Sequence, residues 1–299
     1  MPRLLVDGMQ IEAAIDDPAM RTAPNRAPDW WVEFEHGRAD EDLECVEWTG
    51  DVRHEGEPWA RFGRRRDAHV VLLEGDSSAV LVRANSTARI RHEHDDTLAL
   101  RRLAPYLASL SGRLVLHAAA VSFQMAALFL GEAGAGKSTL ALAMDRAGAP
   151  VLADDHVTVD APEGGLVYAH ASFPSVSVSR ATAEAFGVEI AKDVAGKAFV
   201  PLKAPDRMAR DMVQGVVFLE RGREVAYSPM RPADAVARLL KEAVFVADPA
   251  DDDAHAARLD ACMRLVAHAP PFTLVVPDGL DRLRAALPAI AKPWGGMPS

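Results

Sequence analysis

Between His69 and Arg91 the chain carries three short β-rich runs: HVVLLE and AVLVR, apolar stretches bounded by polar residues, and TARIR, in which apolar and polar positions alternate. They are separated by Gly75-Asp76-Ser77-Ser78 and Ala84-Asn85-Ser86, a pattern that predicts successive antiparallel strands. The period then changes. After Asp95 and Asp96, TLALRRLAPYLASL places Leu98, Leu100, Leu103, Leu107 and Leu110 near helical spacing, with a kink expected at Pro105 and a stop at Gly112. LVLHAAAV (114–121) and MAALFL (125–130) read as strands, followed by a glycine-rich loop, a helix from Lys137 to about Ala147 and a strand at PVLAD (150–154). VVFLE (216–220) and FTLVV (272–276) are further strands, and helices are expected over 233–246, 254–268 and 279–291. Strands interleaved with helices predict an α/β domain over 95–292, preceded by a smaller β-rich lobe over 1–94 and followed by a frayed tail over 293–299.

Composition narrows the class. With 299 residues, 49% hydrophobic and 25% charged, the chain suits one large globular domain or two modest ones, which excludes collagen-like, coiled-coil and wholly disordered readings. Residues 1–60 hold 15 acidic and 5 basic residues, so the whole net charge of −10 sits in the first fifth of the chain. Trp30, Trp31, Trp48 and Trp59 share that segment, so it is expected to pack, either as a sheet or as a partner surface, rather than to hang as a tail. No basic surplus exists beyond Arg61, Arg64, Arg65 and Arg66, a solvated face or a grip on an acidic segment, so nucleic acid is not an expected partner. Cys45 and Cys262 are too few for a disulfide framework or a zinc site. With no signal-peptide pattern and no apolar run of membrane-spanning length, the sequence predicts a cytoplasmic protein with no membrane partner.

Candidate chemistry begins at Gly131-Glu132-Ala133-Gly134-Ala135-Gly136-Lys137-Ser138, with Thr139 following, which fits G-x-x-x-x-G-K-[ST] at every position. The motif also lies between an expected strand and an expected helix. Its glycines let the backbone curl so that N–H groups face a polyphosphate, at the positive end of the helix dipole. Lys137 would meet the β and γ phosphates and Ser138 would ligate Mg²⁺, making ATP and Mg²⁺ the expected cofactors. Asp154-Asp155 ends the next strand, where a turn could bring both carboxylates to one site: one in the metal shell, the other accepting a proton from an attacking hydroxyl. The alternative is a pair of solvated aspartates. His117, which interrupts an apolar strand, is either a satisfied core residue or a site residue.

Taken together, LHAAAV, FLGEAGAGKSTLALA and VLADDHV resemble the C-terminal catalytic domain of the HPr kinase/phosphorylase family, whose fold is related to phosphoenolpyruvate carboxykinase. The resemblance is specific over 114–160 and continues by pattern to about 292. It implies that His117 lies beside the transferred phosphoryl group, that Lys137 and Ser138 bind phosphate and Mg²⁺, that Asp154 is the base and that Asp155 stands on the metal side. The family's downstream G-E-x-R-G-x-G-I segment has no counterpart. HASFPSVSVSR (170–180) and GKAFVPL (196–202) take its place, which argues against HPr as substrate. The pattern instead resembles HPr-kinase-related proteins of bacterial peptide natural-product clusters, lasso peptides included. By that resemblance Lys197 and Arg180 are candidate substrate contacts.

The expected activity is therefore transfer of the γ-phosphoryl group of ATP to a serine hydroxyl of a precursor peptide or small protein. The alternatives are a small-molecule kinase, acting for example on free serine, and a nucleotide-binding regulatory module without transfer chemistry. His92-Glu93-His94-Asp95-Asp96 lacks the i, i+4 histidine pair of a zinc helix, so Asp95 or Asp96 is expected to cap a helix instead. Asp251-Asp252-Asp253 likewise precedes a helix, where negative charge is favoured.

Overall fold

The computed structural model describes residues 3–15, 20, 28–37, 43, 45–54, 57–65, 68–73, 78–83, 86–93, 95–194, 196–203, 209–243 and 251–297. The chain divides into two compact units, Met1–Arg113 with Val244–Arg258, and Leu114–Ala243 with Leu259–Ser299. The expected helix after Asp95 therefore packs with the first unit, whereas the sequence assigns it to the second domain.

The first unit holds β1 (Arg3–Val6), β2 (Met9–Ala13), β3 (Trp30–His36), β4 (Glu47–His54), β5 (Glu57–Arg65), β6 (Ala68–Leu73), β7 (Ser78–Arg83), β8 (Thr87–His92) and α1 (Asp96–Leu110). They form one sheet ordered β1-β2-β3-β8-β7-β6-β5-β4. The expected antiparallel run β6-β7-β8 is present, and β3 adds to it in parallel, pairing Phe34 with Ile90 and His36 with His92. Alternation along β8 buries Ala88, Ile90 and His92 while the intervening residues stay half-exposed, the two-residue period of a strand. Asp95 caps α1 as expected, its Oδ1 accepting from Leu98 N at 2.8 Å. The helix runs through Pro105 to Leu110, and Gly112 follows its end at φ +76°. Trp30 is buried and its Nε1 donates to Ser111 Oγ at 3.1 Å, and Arg61 stacks over Trp48, so the tryptophan-bearing segment is part of this sheet. Trp59 and Arg66 lie outside the residues whose side chains are described.

The second unit contains β9 (Leu114–Leu116), β10 (Ala118–Ser122), β11 (Ala126–Leu130), α2 (Lys137–Arg146), β12 (Val151–Ala153), β13 (Val157–Asp160), β14 (Tyr168–His170), β15 (Ser175–Ser179) and α3 (Arg180–Phe186). It continues with β16 (Lys192–Val194), β17 (Lys197–Pro201), β18 (Arg210–Gly222), β19 (Ala226–Pro229), α4 (Pro232–Glu242), the part of α5 (Asp252–His268) from Leu259 onward, β20 (Pro271–Pro277) and α6 (Leu280–Ala291). Nine strands make a mixed sheet in which β11, β18 and β20 are parallel neighbours, and β15-β17-β16 form a small separate sheet. The molecule is thus mixed α/β. Both faces of the large sheet are buried. Ala119, Val121, Phe129 and Val217 face α2, α6 and the small sheet, while Ala120, Leu128, Leu130 and Phe218 face Leu239 of α4 and Leu265 of α5. Continuous apolar runs such as AALFL follow from burial on both sides.

Two expectations need correction. LVLHAAAV is not one strand: β9 ends at Leu116 and pairs with β13, whereas β10 begins at Ala118 and pairs with β11 and β12. His117 is the crossover, and its N–H donates to Glu242 O at 2.7 Å instead of to a neighbouring strand. Nor is the tail frayed over its described length. Trp294, 4% exposed, packs edge-on against Tyr227 and Phe272, and its Nε1 donates to Tyr227 Oη at 3.0 Å. Its ring occupies the space that a Cβ at Gly215 would fill. Among the described residues no helix is long and apolar enough to cross a membrane.

Candidate functional site

The loop from Gly131 to Gly136 leaves the carboxyl end of β11 and enters α2, at the end of the parallel strands where α/β sheets hold ligands. Gly136 caps α2 at φ +97°, a left-handed conformation natural to glycine. A Cβ there would also collide with the Arg221 guanidinium. Glu132, Ala133 and Gly134 are exposed, Ser138 and Thr139 half-buried, and Lys137 buried at 6%. The first turn of α2 presents N–H groups that have no intrahelical acceptor. Lys137 Nζ donates to Gly131 O and, at 3.2 Å, to Glu132 O, so the ammonium is folded onto the carbonyls of its own loop.

Around it stands a cluster of charges. Burial lowers the Lys137 pKa, with Glu242, Asp154 and Asp155 opposing that shift and Lys197 adding to it. Asp154 is buried, and its Oδ2 accepts from Ser177 N of β15 at 2.9 Å. Asp155 turns the chain at φ +75°, a conformation uncommon outside glycine, which fits the expected turn at the strand end. Its Oδ1 lies 3.9 Å from Lys197 Nζ, and its backbone carbonyl is 2.8 Å from His117 Nδ1. Because a carbonyl can only accept, Nδ1 carries the proton, and a neutral ring then has its lone pair on Nε2. Burial lowers the His117 pKa first and Lys137 lowers it further, against the pull of Asp155.

The structure therefore brings His117, Lys137, Asp154, Asp155 and Lys197 together. Arg180 is not among them by any contact: it pairs with Asp193 of β16. Two neighbours escape sequence reasoning. Glu242, at the end of α4, carries a carboxyl whose pKa is raised by burial and lowered by Lys137 and Arg238. Arg221, three residues past the β18 position that pairs with Leu130, lies against Gly136 and lines a cavity of ≈ 300 Å³ with Thr139, Thr182 and Leu283. Its place directly after VVFLE, at the carboxyl end of an expected strand, is the signal that could have found it. Glu242 offers no such signal, because only the fold sets α4 beside the crossover.

No protein-family model matches the sequence, and no curated protein matches it. Among solved structures the chain is similar to the HPr(Ser) kinase/phosphatase from Coxiella burnetii, with 13% identity and a TM-score of 0.33, over 61% of this chain and 99% of that one. The chemistry of the site consequently rests on its own residues.

Proposed function

We propose that this chain is a cytoplasmic, ATP- and Mg²⁺-dependent kinase on a phosphoenolpyruvate-carboxykinase-like scaffold. It moves the γ-phosphoryl group to a serine hydroxyl of a precursor peptide or small protein. The observation that supports this most is the single charge cluster that joins the phosphate-loop Lys137 to His117, Asp154 and Asp155. The exposed glycine loop and the first turn of α2 form a cradle for a polyphosphate, and Lys137 exchanges its carbonyl contacts for phosphate oxygens. Ser138 and Asp155 are hard oxygen donors of the kind Mg²⁺ takes. Bound Mg²⁺ would neutralise charge on the β and γ phosphates.

Asp154, oriented by Ser177 N–H, takes the proton of the serine hydroxyl as its oxygen bonds to phosphorus, and the bond from the γ-phosphorus to the bridging oxygen breaks to leave ADP. His117 faces the transferred group through Nε2, Lys197 holds the substrate side of Asp155, and Arg221 backs the loop. Incubation with γ-labelled ATP, Mg²⁺ and serine-bearing peptides tests this. Label is expected on peptide serine, and Asp154→Asn is expected to slow transfer by at least about 10²-fold. Full transfer by that variant would remove Asp154 as base, and label on free serine alone would exclude a peptide acceptor.

A further inference from the structure

We propose that the first unit carries a zinc site formed by His36, His92 and Asp96. His36 ends β3 and His92 ends β8, paired directly across the two parallel strands, and Gly37 N donates to His92 O at 3.0 Å to hold the strand ends together. Asp96 begins α1 one turn beyond His92. The sequence does not signal this arrangement, because one ligand comes from a strand distant in the chain.

Asp96 Oδ1 lies 3.2 Å from His92 Nε2 and 3.5 Å from His36 Nε2, and one ligand atom from each residue falls within 4.8 Å of the others. That oxygen is buried and accepts no hydrogen bond. A hydrogen-bonded pair looks different in this same protein: His170 Nε2 and Asp160 Oδ2 stand 2.7 Å apart. A tetrahedral ion with bonds of about 2.0–2.1 Å to nitrogen and oxygen separates its ligands by about 3.3–3.4 Å, close to the two separations that Asp96 Oδ1 keeps from the imidazole nitrogens. Two imidazoles and one carboxylate suit Zn²⁺ rather than Mg²⁺ or Ca²⁺, which take oxygen donors. His92 is buried while the His36 side chain is 69% exposed, so solvent reaches one side and can complete the coordination. Bound there, the ion ties β3 and β8 to the first turn of α1.

The test uses the full chain after chelator treatment, titrated with Zn²⁺ by calorimetry and with Co²⁺ by visible absorption. Wild type is expected to bind one Zn²⁺ at this site, to melt at a higher temperature with Zn²⁺ present, and to give Co²⁺ bands of nitrogen and oxygen ligation. His36→Ala, an exposed change that leaves the fold intact, is expected to raise Kd by at least about tenfold, the lower end of what even an outer partner of a metal ligand contributes. It is also expected to abolish the melting shift, and Asp96→Asn to weaken binding likewise. Equal Zn²⁺ affinity in wild type and His36→Ala, or no binding to wild type, would overturn the assignment.

Discussion

His117 ties backbone and side-chain chemistry to one position. Its N–H holds the end of α4 and its Nδ1–H holds the turn at Asp155, so the ring is oriented before any ligand arrives. Because burial and Lys137 lower its pKa, the folded chain binds a proton later than the unfolded chain as pH falls. Between the unfolded value near 6.5 and the lower folded value the unfolded state is the more protonated, so stability drops as pH decreases through that window. Urea denaturation of wild type should show this loss below about pH 6.5, and His117→Asn should lose less over the same interval. Lys137 acts on the other side of the cluster. Lys137→Met is expected to lower phosphoryl transfer by at least about 10²-fold at saturating ATP, the scale of losing one group that stabilises transition-state charge, as measured by label transfer.

At the scale of elements, the loop between β11 and α2 works because Gly136 occupies a left-handed conformation under the Arg221 side chain. An alanine there meets the backbone penalty, and the Arg221 guanidinium, the far end of a flexible side chain, must swing aside to admit its methyl group. Gly136→Ala should destabilise the second unit by about 1–2 kcal/mol from the backbone alone, and weaken nucleotide binding as well. Adding Arg221→Ala should relieve the collision and leave the backbone cost, which a double-mutant cycle on denaturant midpoints will separate. The elements read from periodicity include α1 and its Asp95 cap, because cap and apolar spacing are local features, whereas β1 to β5, β13 to β17, α3 and β19 were not individually read. The break at His117 was not legible either, because an apolar run looks the same whether its two halves belong to one strand or to two positions in a sheet.

For the whole molecule, the closing segment is a structural part of the second unit. Trp294 fills the space over Gly215, and Tyr227, its phenol pKa raised to about 12 mainly by burial, donates to Ile290 O at 2.8 Å. Trp294→Ala should cost about 3–5 kcal/mol, read as a lower denaturant midpoint, since a large ring leaves a cavity that glycine cannot fill. Residues 1–60 are equally built in: they supply β1 to β4 and part of β5, so deleting them removes half of the first sheet. Of the acidic residues there, Glu12, Glu33, Glu35, Glu47 and Asp51 lie on strands of this sheet, so this part of the acidic surplus belongs to the sheet itself.

The sequence by itself determined the glycine-rich loop, the helix that follows it, the aspartate pair at the end of the next strand and the strands and helices read on either side of them. Each depends on spacing within a few residues, which local sterics and backbone hydrogen bonding enforce. Only the tertiary structure decided that Glu242 and Arg221 join the loop, that Arg180 turns to Asp193, that Trp294 is buried, and that His36 stands beside His92 and Asp96. The pairing of whole strands and the docking of helices select those contacts, so spacing within a few residues does not carry them; only Arg221, at the carboxyl end of an expected strand, leaves a local hint.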